Sequence, residues 1–228
     1  MTVAVDRQSG LTTISWGDGS RGNPVDRSTA QEIAQAVESS QSDGSRALVL
    51  APRGDAVCSG WHLSEIREAV DDPEFMASVQ QSGRHLLDAM VASTIPVALA
   101  ATGPALGFGL ALVARSHLVV ASRQSHYGLP EISIGIVPTG VVDDVAAAVG
   151  PRRARAWART GRVIESVEAH SAGLVDEVVE PELVHEQLTS RLRSVTALDE
   201  QQLGPLAQVC RLGHGDLLPG SADRGRTP

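Results

Sequence analysis

The sequence predicts an α/β fold, and three observations carry the prediction. Short apolar runs such as ALVL at 47–50 and VALAA at 97–101 are too brief for buried helices and fit strands covered on both faces. Between them lie longer stretches with apolar residues at helical spacing, as at Phe75, Met76, Val79, Leu86, Leu87 and Met90. Glycine and proline clusters at 17–24, 52–54 and 150–151 punctuate the alternation. With 228 residues the chain fits one large domain and is long enough for a substantial core.

Taken in order, residues 2–7 and 11–16 alternate around Ser9-Gly10 and predict a hairpin. A helix is expected to start near Ser28, with Gln31 completing a capping box, and to run through Val37. Residues 46–51 form a buried strand, after which the chain turns through Pro52-Arg53-Gly54-Asp55 and enters a short helix toward Glu68. Asp72-Pro73 opens a long helix that must end before Ile95-Pro96. A strand at 97–101 follows, then a helix from 110, another from 139 to 149, and a third from 152 to 160 after the break at Gly150-Pro151. Ser166 is expected to cap a helix closed by Gly173, residues 174–179 to form a last strand, and 182–195 a last helix. Residues 1–195 then make the domain. Residues 196–228, rich in Gly, Pro and Asp beyond Leu203, are expected to fray.

Composition narrows the function classes. Aromatic residues are only 3% of the chain, so Ala, Val and Leu must build most of the core. The formal net charge is -8 and all 19 basic residues are Arg. Without Lys there is neither Schiff-base chemistry nor a Walker-type phosphate loop. No basic stripe with aromatic platforms appears, which argues against nucleic acid. Arg152, Arg153, Arg155, Arg159 and Arg162 cluster on one helix and are read first as its solvated face, with a phosphorylated ligand or an oligomer contact as the other reading. Two cysteines, Cys58 and Cys210, are too few for a disulfide framework, and a reducing compartment is expected. The first ten residues lack a basic start and a long apolar run, and no segment is apolar enough to span a bilayer. A cytoplasmic protein with no membrane partner is expected. No His/Cys/Asp spacing suggests a metal.

The chemistry concentrates in residues 101–139. Gly107-Phe108-Gly109 ends a short strand and opens an apolar helix, leaving backbone N–H groups without internal partners near a glycine. Such a helix start attracts an anion or a developing oxyanion. Ser59-Gly60-Trp61 repeats the design after the strand at 46–51, so two backbone donors from different loops are placed to share one oxygen. Glu131 follows Pro130 in an otherwise apolar segment and is the candidate proton-transferring carboxylate. The dinucleotide pattern GxGxxG is not matched.

The segments ALVLAPRGDAVCSGWHLSEI, IPVALAATGPALGFGLALVARSHLVVAS and HYGLPEISIGIVPTG, with GRVIESVEAHSAGLVDEVVEPEL, together resemble the crotonase family of enoyl-CoA hydratases and isomerases. The opening Arg21-Gly22-Asn23-Pro24-Val25 is similar to that family's Arg…Asn-Ala-Leu start, and the likeness covers roughly residues 3–195. The resemblance implies a spiral of ββα units with a helical C-terminal part, here shortened, assembled as a homotrimer or a hexamer. It implies an acyl-CoA or acyl-carrier-protein thioester as substrate and no cofactor beyond the coenzyme A that the substrate carries. By resemblance the oxyanion donors are the backbone N–H groups of Trp61 and Phe108. Arg21, Gly60, His62, Gly107, Gly109 and Thr139 fall at substrate-binding positions.

Hydratases of this family use two glutamates. The first falls at Ala111 here, while the second is Glu131 and is intact. Enoyl isomerases resemble this pattern in keeping the second alone, and Thr139 stands where some members place an Asp. The resemblance therefore implies an enoyl-CoA isomerase with one acid/base, with a hydratase, a decarboxylase or a thioester hydrolase as alternatives. A non-catalytic subunit or binding module is the reading from outside enzymology, and the short stretch after Glu182 speaks for it. His62, His85 and His126 are candidate assistants to Glu131, read first as structural or solvent-facing histidines. Asp143 and Asp144 are read as helix-dipole partners, and Cys58 as a small buried residue.

Overall fold

The structure, a computed structural model, describes residues 3–19, 22–138 and 140–210. The chain opens with a hairpin of β1 (Ala4–Gln8) and β2 (Leu11–Ser15), paired with Ala4 opposite Ser15 and Gln8 opposite Leu11. Its two turn residues, Ser9 and Gly10, both have positive φ, as a tight hairpin matched to strand twist requires. Helix α1 (Arg27–Ser39) follows, capped by Asp26 rather than near Ser28 as expected. The Asp26 carboxylate accepts from Thr29 N at 2.7 Å, and an ionised acceptor serves the helix dipole better than a hydroxyl does. Gln31 closes no capping box; its amide lies 3.5 Å from Ser82 Oγ instead.

Next come β3 (Ala47–Leu50), α2 (Leu63–Val70) and α3 (Pro73–Ala92), the last capped by Asp72 with Pro73 in its first turn as predicted. The middle of the chain supplies β4 (Val97–Ala101), β5 (Ala105–Leu106), α4 (Phe108–Arg115), β6 (Leu118–Ser122) and β7 (His126–Gly128). A 3-10 turn at Pro130–Ile134 leads to α5 (Val142–Val149) and α6 (Pro151–Thr160). The chain then forms β8 (Ile164–Glu165), α7 (Ser166–Ser171), β9 (Glu177–Val179), α8 (Val184–Thr196) and α9 (Glu200–Cys210).

Three expectations are corrected here. Ser166 is the first residue of α7 rather than its cap: its hydroxyl is buried between the carbonyls of Ser122 and Ser125, at 2.6 and 2.8 Å. The last strand begins at Glu177, because Leu174 and Val175 turn into the core instead of pairing. Residues 200–210 are helical rather than frayed. There Gln202 N donates to Asp199 Oδ1 and Asp199 N donates to Gln202 Oε1, both at 3.0 Å, a reciprocal cap that a reading from composition overlooks. Residues 211–228 lie outside the described part of the structure.

The large sheet has the order β1-β2-β3-β4-β6-β9, antiparallel at β1/β2 and parallel from there on. Each crossover adds its strand to the same edge, so the chain winds as a spiral. A small second sheet, ordered β5-β7-β8, receives a short strand after β4 and another after β6. Period-two alternation sorts the central strands between two cores. Leu48, Leu50, Val97 and Leu99 face the core shared with α1, α3 and α4, while Ala47, Val49, Ala98 and Ala100 face Val184, Leu188 and Leu192 of α8. Cutting back a fully buried side chain on the larger face, such as Leu99, costs about 2–5 kcal/mol. This α/β spiral puts the ends of β3 and β4, and the turns that leave them, side by side.

Candidate active site

The first turn is tied down on every side except one. Ser59 N donates to Gly22 O at 2.7 Å, Val25 N to Gly60 O at 2.9 Å, His62 N to Val25 O at 2.8 Å, and Leu106 N to Cys58 O at 2.8 Å. The Cys58 thiol adds a contact from within, accepting from Gly60 N at 3.3 Å. Gly60 holds φ at +104°, which a side chain would resist. Because Val25 pairs with the residues on either side of Trp61, the Trp61 N–H points elsewhere, and among the described residues it has no acceptor. The second turn is built alike. Gly107 has φ +55° and donates to Gly128 O at 2.9 Å, and α4 starts at once, leaving the Phe108 N–H at a helix N-terminus without an acceptor among the described residues.

Glu131 reaches these turns from the 3-10 segment Pro130–Ile134. A Cβ built on Gly107 would stand 2.8 Å from Glu131 Oε1 and 3.9 Å from Gly60 Cα, so the carboxylate occupies the space the glycine leaves open. Glu131 Oε2 is buried without a hydrogen-bond partner. Burial pushes the Glu131 carboxyl above the ordinary glutamate range, and a hydrogen bond from its own backbone N–H opposes that rise in part. Behind it, Gly161 at the end of α6 lets Ile132 pack close: a Cβ there would meet Ile132 Cγ2 at 2.9 Å.

These groups line one cavity of about 270 Å³. Gly60, Trp61, Gly107, Phe108 and Glu131 meet there, with Met76, Val79, Ile134, Ile136 and Val137 as apolar walls. Glu131 is the only acidic or basic side chain among the described residues of the lining. An apolar chamber holding one desolvated carboxylate and two free backbone donors can take up a polarised carbonyl and move a proton on the carbon next to it.

The other candidates fall elsewhere. His62 is exposed outside the cavity, where its Nδ1 caps α2 by accepting from Ser64 N at 3.3 Å. Gly109 lies behind the lining: its bare Cα lets the Cys58 carbonyl approach, to 2.3 Å from where a Cβ would sit, and so locks the two turns together. Arg21 and Thr139 lie outside the described residues. His85 pairs with Glu38 at 3.2 Å on the surface, and His126 sits on β7 away from the cavity. Ala111 is fully buried in the core against the sheet. Burial pushes the Cys58 thiol up to about 12, which leaves it inert as a nucleophile. Asp143 is an exposed residue in the first turn of α5. Asp144, expected to act as a helix-dipole partner, is fully buried and gripped by Arg84 and Arg115. The periodicity of α3 marks Met76 and Val79 as buried without telling a cavity wall from a core. No group of three or more His, Cys, Asp or Glu side chains among the described residues could hold a metal ion.

The fold and these paired turns define a crotonase-like protein. The chain belongs to the family described as enoyl-CoA hydratase/isomerase, whose model matches residues 6–204. It is 30% identical over 178 residues to a Thermus thermophilus protein named as an enoyl-CoA hydratase, covering 75% of this chain and 68% of that one. It is also 30% identical over 167 residues to an enoyl-CoA isomerase/hydratase of Mycosarcoma maydis, covering 68% of this chain and 60% of that protein's length. A solved structure described as enoyl-CoA hydratase subunit I from Geobacillus kaustophilus superposes with a TM-score of 0.82 at 28% identity, over 92% of this chain and 79% of that one.

Proposed function

We propose that the protein acts on an acyl thioester of coenzyme A or of a carrier protein, and that it is an enoyl isomerase with Glu131 as its single acid/base. The observation that carries this reading is Glu131 as the lone titratable group, among the described residues, in the lining of a chamber that also holds two unused backbone donors. The thioester oxygen takes the N–H groups of Trp61 and Phe108. The Glu131 carboxylate removes the α-proton of a β,γ-enoyl thioester, the C–H electron pair shifts into the carbonyl so that negative charge gathers on the thioester oxygen, and the resulting dienolate, conjugated with the β,γ double bond, is held by the two donors. The same carboxyl then returns the proton to the γ-carbon, and the double bond ends beside the thioester carbonyl. A carboxyl raised by burial suits both halves of the cycle, since its proton affinity is nearer to the working pH.

The relatives named as hydratases favour a second reading, addition of water across the double bond. In hydration a second carboxylate would hold the water, and the family position for it is filled by buried Ala111. Self-association as a trimer or hexamer belongs to the same proposal and is checked by light scattering.

Incubating the protein in deuterated water with a panel of acyl-CoA esters tests the reading. Exchange at the α and γ carbons, abolished in Glu131→Gln, is the expected result. Full exchange in that variant would overturn the assignment, and formation of a 3-hydroxyacyl product would select the hydratase.

A further inference from the structure

The two oxyanion residues carry large side chains, and those side chains meet. The Trp61 and Phe108 rings lie 4.6 Å apart at an interplanar angle of 31°. Both press on α3 at Gly83, where an added Cβ would stand 2.6 Å from Trp61 Cζ2 and 2.9 Å from Phe108 Cε2. A glycine inside a helix is disfavoured relative to alanine, and this one is where the ring pair needs room.

The pair borders a second cavity. That distal space, about 430 Å³, has the same two rings in its lining, is walled further by Ala77, Gln81, Arg84 and Leu87, and opens to solvent on its far side. It shares Trp61, Gln80, Phe108, Gly140 and Val141 with the chamber that holds Glu131. The catalytic chamber alone, about 270 Å³, lies just under the ~300–1,000 Å³ span of small-molecule sites, whereas the two joined would fall well inside it.

We propose that the stacked rings of Trp61 and Phe108, seated on Gly83, form a partition that limits the chamber to short acyl groups and closes the distal cavity to longer ones. The inference rests on the acyl-thioester reading above and names the substrate class for it: short-chain enoyl thioesters. Backbone donors and partition come from the same two residues, so the side chains set chain length while the N–H groups hold the oxygen.

The test measures binding of butyryl-, hexanoyl-, octanoyl- and decanoyl-CoA by calorimetry to the wild type, to Phe108→Gly and to Trp61→Ala, with a crystal structure of each variant. Wild type is expected to bind the shortest esters best. Each variant is expected to gain affinity for longer chains, by up to roughly fourfold per added methylene, as burial of that group predicts. Adding Ala77→Trp, an exposed position that borders the distal cavity alone, to Phe108→Gly is expected to refill that cavity and restore the short-chain preference. Structures showing one continuous cavity with an unchanged chain-length profile would overturn the partition's role in selection and leave the thioester reading standing. A wild type that prefers the longest chains would overturn it as well. A wild type that binds none of the esters would remove the thioester reading and the inference with it.

Discussion

Two sequestered carboxylates in this molecule have opposite surroundings. Asp144 is fully buried, and two guanidinium groups hold it: Arg84 from α3, with donors at 3.0 and 2.8 Å, and Arg115 from the end of α4. Glu131 is partly buried among apolar walls, with one oxygen unpartnered. The first has both oxygens paired with guanidinium donors. The second is poorly solvated and poorly paired, which is how a protein keeps a carboxyl ready to react. Pairing, more than depth, separates the carboxylate that holds the fold from the one proposed to do chemistry.

The sharpest way to break the comparison is Glu131→Gln. General acid–base catalysis supplies about 10²–10⁴ in rate, and a loss of that size in exchange or isomerisation is expected. The same change is expected to raise the melting temperature at neutral pH. Folding lifts the Glu131 carboxyl above its unfolded value, so its contribution to stability is complete below the unfolded pKa and is lost as pH rises through the folded one. The gain should vanish in acid, and a variant that melts lower than wild type at neutral pH would contradict the desolvated carboxylate.

Asp144→Ala should behave in the reverse way. Removing one partner of a buried ion cluster costs about 3–5 kcal/mol, which denaturant titration would read directly. A loss below about 1 kcal/mol would mean that Arg84 and Arg115 find water once their partner is gone.

The pH profile sharpens the comparison with a smaller signal. The rate is expected to fall as pH drops through the raised Glu131 pKa, with an acid limb above the ordinary glutamate range. A limb at the ordinary position would place the carboxylate in water. Smallest is Asp143→Asn, exposed in the first turn of α5, which should cost about 0.3–1 kcal/mol through the helix dipole alone. That variant separates Asp143 from Asp144, which one residue of sequence does not.

Much of the scaffold was legible, because local rules and tertiary packing agree at those places. Residues 47–50 and 97–101 are apolar throughout and lie between two cores; Asp72-Pro73 caps α3 as its residue types demand. Of the candidate site, the grouping was legible where it is made of backbone and one side chain: the two glycine turns and Glu131 line a common cavity. What was missed depends on partners distant in sequence. Asp26 outranks Ser28 as a cap because its oxygen reaches Thr29 N in the folded geometry. Ser166 looked like a cap until Ser122 and Ser125 supplied acceptors from far upstream. The grip on Asp144 needs α3, α4 and α5 brought together, and spacing cannot show that. His62 stood at a family position for contact with substrate, and its ring instead serves the helix that starts beside it.

The Cys58 contact under Gly60 has a practical consequence. Its thiol is enclosed, protonated and bonded to the turn that aims the Trp61 N–H, so alkylating reagents meet it only when that turn opens. Labelling of this native sulfur, timed by mass spectrometry, would thus clock the breathing of one wall of the site without any engineered reporter, and a bound thioester that spans both turns should slow the clock.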